Sequence, residues 1–225
     1  MSIWLYFIIQ CRTFRCLYLI LPQACLHLSW TVFLKFFRRP GMGRWVLILL
    51  LYMMGVTIAT TMFRLLLVDL GLSLADIGVM NGIVAYSAGL VGAFVGGFLI
   101  KPLGRKKALM VFGVLMAIAN AAFILPAIGF TSLPVVYLVS IGCQFAYSMA
   151  LVSMYTVMMD NSRLLTAGFD YTLQVSIVFV GSLIAGGLSG FIAKAMGYQG
   201  AFALSAAICL VSVAVIFKTF DDSKA

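Results

Sequence analysis

The sequence predicts an all-α, polytopic helical membrane protein with six transmembrane helices. Three observations lead there. Of 225 residues, 64% are hydrophobic and only 9% are charged, against about a quarter charged in an ordinary soluble domain. The mean hydropathy is +1.16, which leaves too little polar surface to cover a water-soluble core. The apolar runs are long enough to cross a hydrocarbon layer of about 30 Å, and the basic residues collect in alternate breaks between them. The net charge of +9 reads as loop charge that faces anionic lipid, and no nucleic acid partner is expected.

Residues 1–34 stand apart as an atypical hydrophobic N-terminus. Arg12 and Arg15 end its first apolar run, and Pro22, Gln23, His27 and Ser29 interrupt the next. A signal peptide fits badly, because no small-residue cleavage site follows a clean apolar core with a basic start. A surface segment and an unusual start joined to a truncated reading frame both fit. Residues 35–225 form the six-helix membrane domain, with spans at about 45–67, 77–100, 108–130, 133–159, 171–195 and 199–218.

Turn-forming residues mark each break. Gly71, Ser73 and Asp76 separate the first two spans, and Gly104 the next two. Thr131, Ser132 and Pro134 follow, then Asn161, Ser162 and Gly168, then Gly197 and Gly200. One set of alternate loops holds eleven basic residues: Lys35, Arg38, Arg39, Arg44, Lys101, Arg105, Lys106, Lys107, Arg163, Lys218 and Lys224. The opposite set holds Arg64 and Lys194 alone. The positive-inside rule places the first set, with the C-terminus, in the cytoplasm. No acid lies near Lys101–Lys107 in sequence to pair with its charges.

The chain repeats itself. LVGAFVGGFLIKPLGRKKA at 90–108 aligns without a gap on LIAGGLSGFIAKAMGYQGA at 183–201, an offset of 93 residues. Leu90, Gly97, Phe98, Lys101, Gly104 and Ala108 meet Leu183, Gly190, Phe191, Lys194, Gly197 and Ala201. Each copy covers the end of the second helix, a tight turn and the start of the third helix of a three-helix unit. Two such units cross the membrane in opposite senses, the 3+3 inverted repeat of many secondary transporters.

The stretch Gly97-Phe-Leu-Ile-Lys101-Pro102-Leu-Gly104-Arg105-Lys106 resembles the loop signature of the major facilitator superfamily. That signature reads Gly, three residues, an acid, a basic residue, any residue, Gly, Arg, then Arg or Lys. Here Lys101 stands where the acid belongs and Pro102 where the first basic residue belongs. A degraded copy suits the C-terminal half of such a transporter, and the departure puts a charge-relay role for this copy in doubt. FFRRPGMGRWVLILLLYMMG (36–55) and AGFDYTLQVSIVFVGSLIAG (167–186) look like AmpG-type permeases and related inner-membrane siderophore permeases of Gram-negative bacteria. The run Asp170–Gln174 looks closer to the siderophore branch. The resemblance implies a twelve-helix full-length relative whose last six helices this chain matches.

No Ser/His/Asp set or carboxylate pair stands at useful spacing, so no enzyme is expected. No GxxxxGK[ST] loop occurs, which favours an ion gradient over direct nucleotide drive. The five cysteines form no CxxC pair, and Cys11, Cys16, Cys25 and His27 match no metal spacing, so no cofactor or metal is expected.

Candidate site residues come from polar stripes inside the spans. Tyr137, Ser140, Gln144, Tyr147, Ser148 and Tyr155 recur at helical steps along the fourth span. Lipid would waste their hydrogen bonds, so the stripe faces another helix or a water-filled cavity. Thr57, Thr60, Thr61 and Arg64 share a face of the first. Arg64 lies about 28 Å of helix rise beyond Trp45 and either snorkels to the interface or meets an anionic ligand or Asp69. The expected substrate wall is Thr57, Thr61, Arg64, Gln144, Tyr147, Ser148, Tyr155 and Gln174, the last reaching the cavity from the cytoplasmic side. Asp160 and Asp170 are candidates for proton coupling, with an N-cap role the plainer reading for Asp170. Neither looks buried. Asn81 and Asn120 read as interhelical hydrogen bonds, and the Gly- and Ser-rich faces of the second and fifth spans as close packing.

The expected function is secondary active transport, or the C-terminal half of it: proton-driven import of a siderophore or its iron complex across the bacterial inner membrane. An AmpG-type muropeptide permease is the alternative. A truncated, non-transporting fragment or assembly subunit is the alternative of another class. The expected partners are the lipid bilayer, a small-molecule substrate, and an N-terminal six-helix half or a second copy.

Overall fold

A computed structural model describes residues 33–39 and 41–219. The expectations for the N-terminus, the Cys11–His27 group and Lys224 lie outside them, except at Phe33 and Leu34. The chain divides into two compact units, Met1–Gly43 and Arg44–Ala225. In the first, a short helix at 33–37 sets the Phe33 and Phe36 rings 5.0 and 5.4 Å from Phe37.

The described residues are helical, with no strand among them. Four helices follow one another: α1 (Met42–Asp69), α2 (Leu74–Leu103), α3 (Arg105–Ile128) and α4 (Leu133–Asp160). A fifth stretch, Ala167–Thr219, is helical for 53 residues except at Gly197. Unbroken, it would run about 80 Å, far beyond a hydrocarbon core. Gly197 sits at φ 71°, ψ 177°, a conformation only glycine adopts without strain. It divides the stretch into α5 (167–196) and α6 (198–219). The four helices and the long stretch are each apolar enough to cross a membrane.

Local chemistry sets the other ends. Ser73 caps α2: its hydroxyl oxygen accepts from the Asp76 amide at 3.1 Å and its O–H donates to the Asp76 carboxylate at 2.6 Å. Gly104, at φ 78°, separates α2 from α3 as Gly197 separates α5 from α6. Inside α2, Met80–Ala85 winds as a π-helix.

Glycine decides how closely the helices pack. A Cβ at Gly92 would lie 2.5 Å from the Phe145 carbonyl oxygen, and one at Gly96 would lie 3.0 Å from Met149 Cα. One at Gly89 would lie 2.8 Å from Ser148 Oγ. The backbone of α2 therefore rests directly on α4 along this stripe. Gly82, Gly97 and Gly190 meet nothing within 4 Å, so the close packing expected of the whole small-residue face falls to part of it. Gly55 brings α1 against Ser205 and Cys209 of α6. There Ser205 Oγ donates to the Gly55 carbonyl at 2.7 Å and accepts from Asn120 Nδ2 of α3 at 2.9 Å. Asn120 thus makes the interhelical bond its sequence position suggests.

Phe63, Phe123 and Phe202 stack in series, with ring centroids 4.2 and 5.6 Å apart. With Met80 and Val136 they form a buried core between the helices. The outward faces of α2 and α5 carry exposed Leu90, Phe94, Phe98, Leu183 and Phe191.

A cavity beside α1 and α4, braced at both ends

A cavity of about 40 Å³ opens next to the phenylalanine stack. Thr60, Phe63 and Arg64 line it from α1, and Asn81 from the π-helical part of α2. Met116 and Phe123 close one side, and Ser140, Cys143, Gln144 and Tyr147 line it from α4. Arg64 of α1 shares this wall with Gln144 and Tyr147 of α4.

Several wall hydroxyl and thiol groups are already committed. Thr60 Oγ1 donates to the Val56 carbonyl at 3.0 Å, Ser140 Oγ to the Val136 carbonyl at 2.9 Å, and Cys143 Sγ to the Ala119 carbonyl at 2.9 Å. The polar groups left for a ligand are those of Arg64, Asn81, Gln144 and Tyr147. No acid lines the wall, and Arg64 makes no ion pair among the described residues. This is a donor-rich site beside an apolar floor, suited to an anionic oxygen.

Other expected site residues stand elsewhere. Thr57 donates to its own helix at Met53 O, 2.9 Å, and Thr61 is not on the cavity wall; the helical register selects Thr60 instead. Ser148 lies under Gly89, and Tyr155 stands 6.4 Å from the Tyr171 ring. Gln174 does not reach the cavity. Fully buried, it accepts from Trp45 Nε1 at 2.7 Å and donates toward Met158 O, Ser162 Oγ and Asp170 O at 3.2, 3.3 and 3.1 Å. An amide that satisfies three elements at once serves as a brace between α1, α4 and α5.

Asp170 also departs from expectation. It is fully buried, and it lies inside the first turn of α5, which begins at Ala167, so it is no N-cap. Its carboxylate accepts from the Arg163 backbone N–H at 3.1 Å and from the guanidinium at 2.7 and 2.6 Å. That bond holds the Arg163 guanidinium above its ordinary pKa. Geometrically this is a buried, hydrogen-bonded ion pair that ties the start of α5 to the loop before it. Asp160 is ion-paired as well, with Arg105 Nε at 2.6 Å. The basic turn therefore has an acid partner, supplied by a helix end 55 residues on. In the rest of the loop signature, Gly97 and Lys101 are exposed and Lys106 is half-buried.

At the opposite end of the bundle the Tyr198 hydroxyl donates to the Asp69 carboxylate. Gln199 Nε2 donates to the Ala127 carbonyl at 3.2 Å. No group of three or more His, Cys, Asp or Glu able to hold a metal occurs among the described residues.

Sequence comparisons agree with this architecture. An uncharacterised protein of Haemophilus influenzae is 28% identical over 82% of this chain and 47% of its own length. An anhydromuropeptide permease of Escherichia coli K12 is 26% identical over 76% of this chain and 35% of its own length. The chain thus spans less than half the length of the relatives it matches. The family profile of the Major Facilitator Superfamily matches residues 45–225, which is nearly the whole of the six-helix region, and on that match the chain belongs to this superfamily of membrane transporters.

Proposed function

We propose that this chain is one six-helix half of a secondary active transporter that imports an anionic solute across a bacterial inner membrane, driven by a proton gradient. The observation that supports the reading most is Arg64, a cation with no ion pair among the described residues, on the wall of a donor-lined cavity. In transporters of this kind the site lies between two halves near mid-membrane. An N-terminal six-helix half, or a second copy, would close the open side. Arg64, Gln144 and Tyr147 would grip the solute, and the charged turn at Gly104 would lie on the cytoplasmic face with the C-terminus.

Two solutes suit a cation with a tyrosine beside it: a siderophore or its iron complex, and a muropeptide. Tyrosine can stack on a flat ring while its hydroxyl forms a hydrogen bond. The Asp170–Gln174 run favours the siderophore. The relative named as an anhydromuropeptide permease favours the muropeptide, and that is the specific observation behind the second reading.

The test is uptake of labelled ferric siderophore and of labelled anhydromuropeptide in cells lacking their own permeases. The chain is expressed alone and with a separate six-helix half from a related permease. Uptake of one solute with the partner half is the expected result and picks the substrate. Uptake by the chain alone points to a self-paired carrier. Membrane insertion with no uptake of either solute overturns the transport reading in favour of a fragment or an assembly subunit.

A further inference from the structure

The π-helical segment of α2 sets Asn81 where no α-helix would. The residues of α2 that rest on α4 fall on one stripe, with Ala85, Gly89, Gly92 and Gly96 all buried. Continued backward as an α-helix, the stripe would reach Asn81, one turn before Ala85. The π turn instead takes a five-residue step. Met80 occupies the buried position, fully covered, with its sulfur 3.6 Å from Ser140 Oγ on α4. Asn81 is thereby turned off the helix contact and into the cavity wall. Its Nδ2 is buried there with no hydrogen-bond partner.

Such a group has a cost. A buried amide donor without a partner loses its hydration and gains nothing. A buried unsatisfied group calls for an explanation, and π turns concentrate at functional sites. The chemistry of the wall says which ligand. The neighbouring uncommitted groups are the Arg64 guanidinium, the Gln144 amide and the Tyr147 phenol, and the wall holds no carboxylate. About 40 Å³ holds one small group rather than a whole solute.

We infer that Asn81 is a substrate-binding residue that donates to a carboxylate of the solute, gripped between it and Arg64. This rests on the anionic-solute reading above. The solute's carboxylate enters the cavity and its bulk remains outside it. Guanidinium and amide donors converge on the two oxygens, so an uncharged ester of the same solute loses the charge-assisted bonds.

The test uses the full chain, purified in detergent, and two probes: N-acetylmuramic acid and its uncharged methyl ester. Saturation-transfer NMR titrations give the apparent Kd of each. The wild type should bind the acid about tenfold or more tightly over the ester, the scale of one charge-assisted hydrogen bond. Asn81→Leu and Arg64→Gln should each remove most of that preference. Asn81→Gln, which keeps the amide on a longer arm, should restore part of it, and Asn81→Asp should reverse it by adding a like charge. Leu90→Ala, on the exposed face of α2, should change nothing. A misfolded Asn81→Leu would show in its size-exclusion profile, and the Gln and Asp variants then carry the test. Equal binding of acid and ester by the wild type, or an unchanged preference in the folded Asn81 variants, overturns the proposal. So does binding of neither probe. Because uptake is measured separately, the transport reading stands or falls on its own experiment.

Discussion

The two tight turns of the repeat solve one structural problem with different chemistry. Gly104 and Gly197 lie 93 residues apart, and both hold positive φ, 78° and 71°. The residue after each ties the turn to the last residue of another helix. Arg105 forms an ion pair with Asp160 at the end of α4. Its counterpart Tyr198 donates a hydrogen bond to Asp69 at the end of α1. The exchange is reciprocal: each three-helix unit braces its turn on the first helix of the other unit. Both acids sit at helix C-termini, where the macrodipole disfavours negative charge, so each needs a donor. The difference follows the distribution of loop charge. The Gly104 end carries the basic loops and uses arginine, whereas the other end is nearly free of basic residues and uses a neutral phenol. A brace is required at both ends, and its charge is free to follow the positive-inside bias.

The strongest way to break the comparison lies in the stripes that lead into the turns. Gly92 and Ala185 are equivalent, and both are buried. Gly92→Leu would drive a side chain into the Phe145 carbonyl, 2.5 Å from the Cβ position. That contact is backbone and cannot step aside, so the variant should give no monodisperse protein by size-exclusion chromatography. Gly97→Leu, pointing into open space, should purify like the wild type. If Gly92→Leu purifies normally, α2 does not rest on α4 as described.

A second difference separates the units. The second carries an ion pair with no counterpart in the first: positions 163 and 170 are Arg and Asp, while 70 and 77 are Leu and Ile. Asp170 is fully buried, and Arg163 is its charge partner. Arg163→Ala should destabilise the chain by about 3 kcal/mol, because it strands a buried carboxylate. Adding Asp170→Asn should recover much of the loss. Thermal unfolding of the single and double variants measures both effects. Equal loss in the two would mean that the pair contributes by attraction rather than by relieving a desolvated charge.

What the sequence shows and hides follows the range of each interaction. Composition and long apolar runs reveal the helices, and a shared offset reveals the two turns before any coordinates. Those signals are local or repeated. Arg105 looked unpaired because Asp160 is 55 residues away. Gln174 looked like a cavity residue because its partner Trp45 is 129 residues away. Asp170 looked like a cap because the sequence starts the fifth span at 171, four residues after the helix begins at Ala167. Asn81, read as an interhelical hydrogen bond, leaves its Nδ2 without a partner for another reason: helical periodicity assumes 3.6 residues per turn, and the π turn at Met80–Ala85 breaks that assumption where the cavity forms. Arg64, Gln144 and Tyr147 were legible because a polar stripe in an apolar helix is conspicuous at any range.

The smallest predicted effect tests the braces themselves. Arg105 is partly exposed, with 39% of its side chain accessible, so solvent and salt screen its pair with Asp160. Arg105→Ala should cost under about 1 kcal/mol, and less as salt rises. Tyr198→Phe removes one hydrogen bond to a carboxylate and keeps the ring, a loss of about 1 kcal/mol or somewhat more. A phenol bears no charge, so this loss should vary little with salt. Thermal unfolding of both variants at about 20 and about 500 mM salt, which bracket the physiological value of about 150 mM, separates the two. Parallel salt dependence would mean that the braces are not chemically distinct, and that net charge alone governs both ends. A salt-sensitive Arg105 and a salt-insensitive Tyr198 would mean that one repeated geometry carries an electrostatic latch at one end and a neutral one at the other.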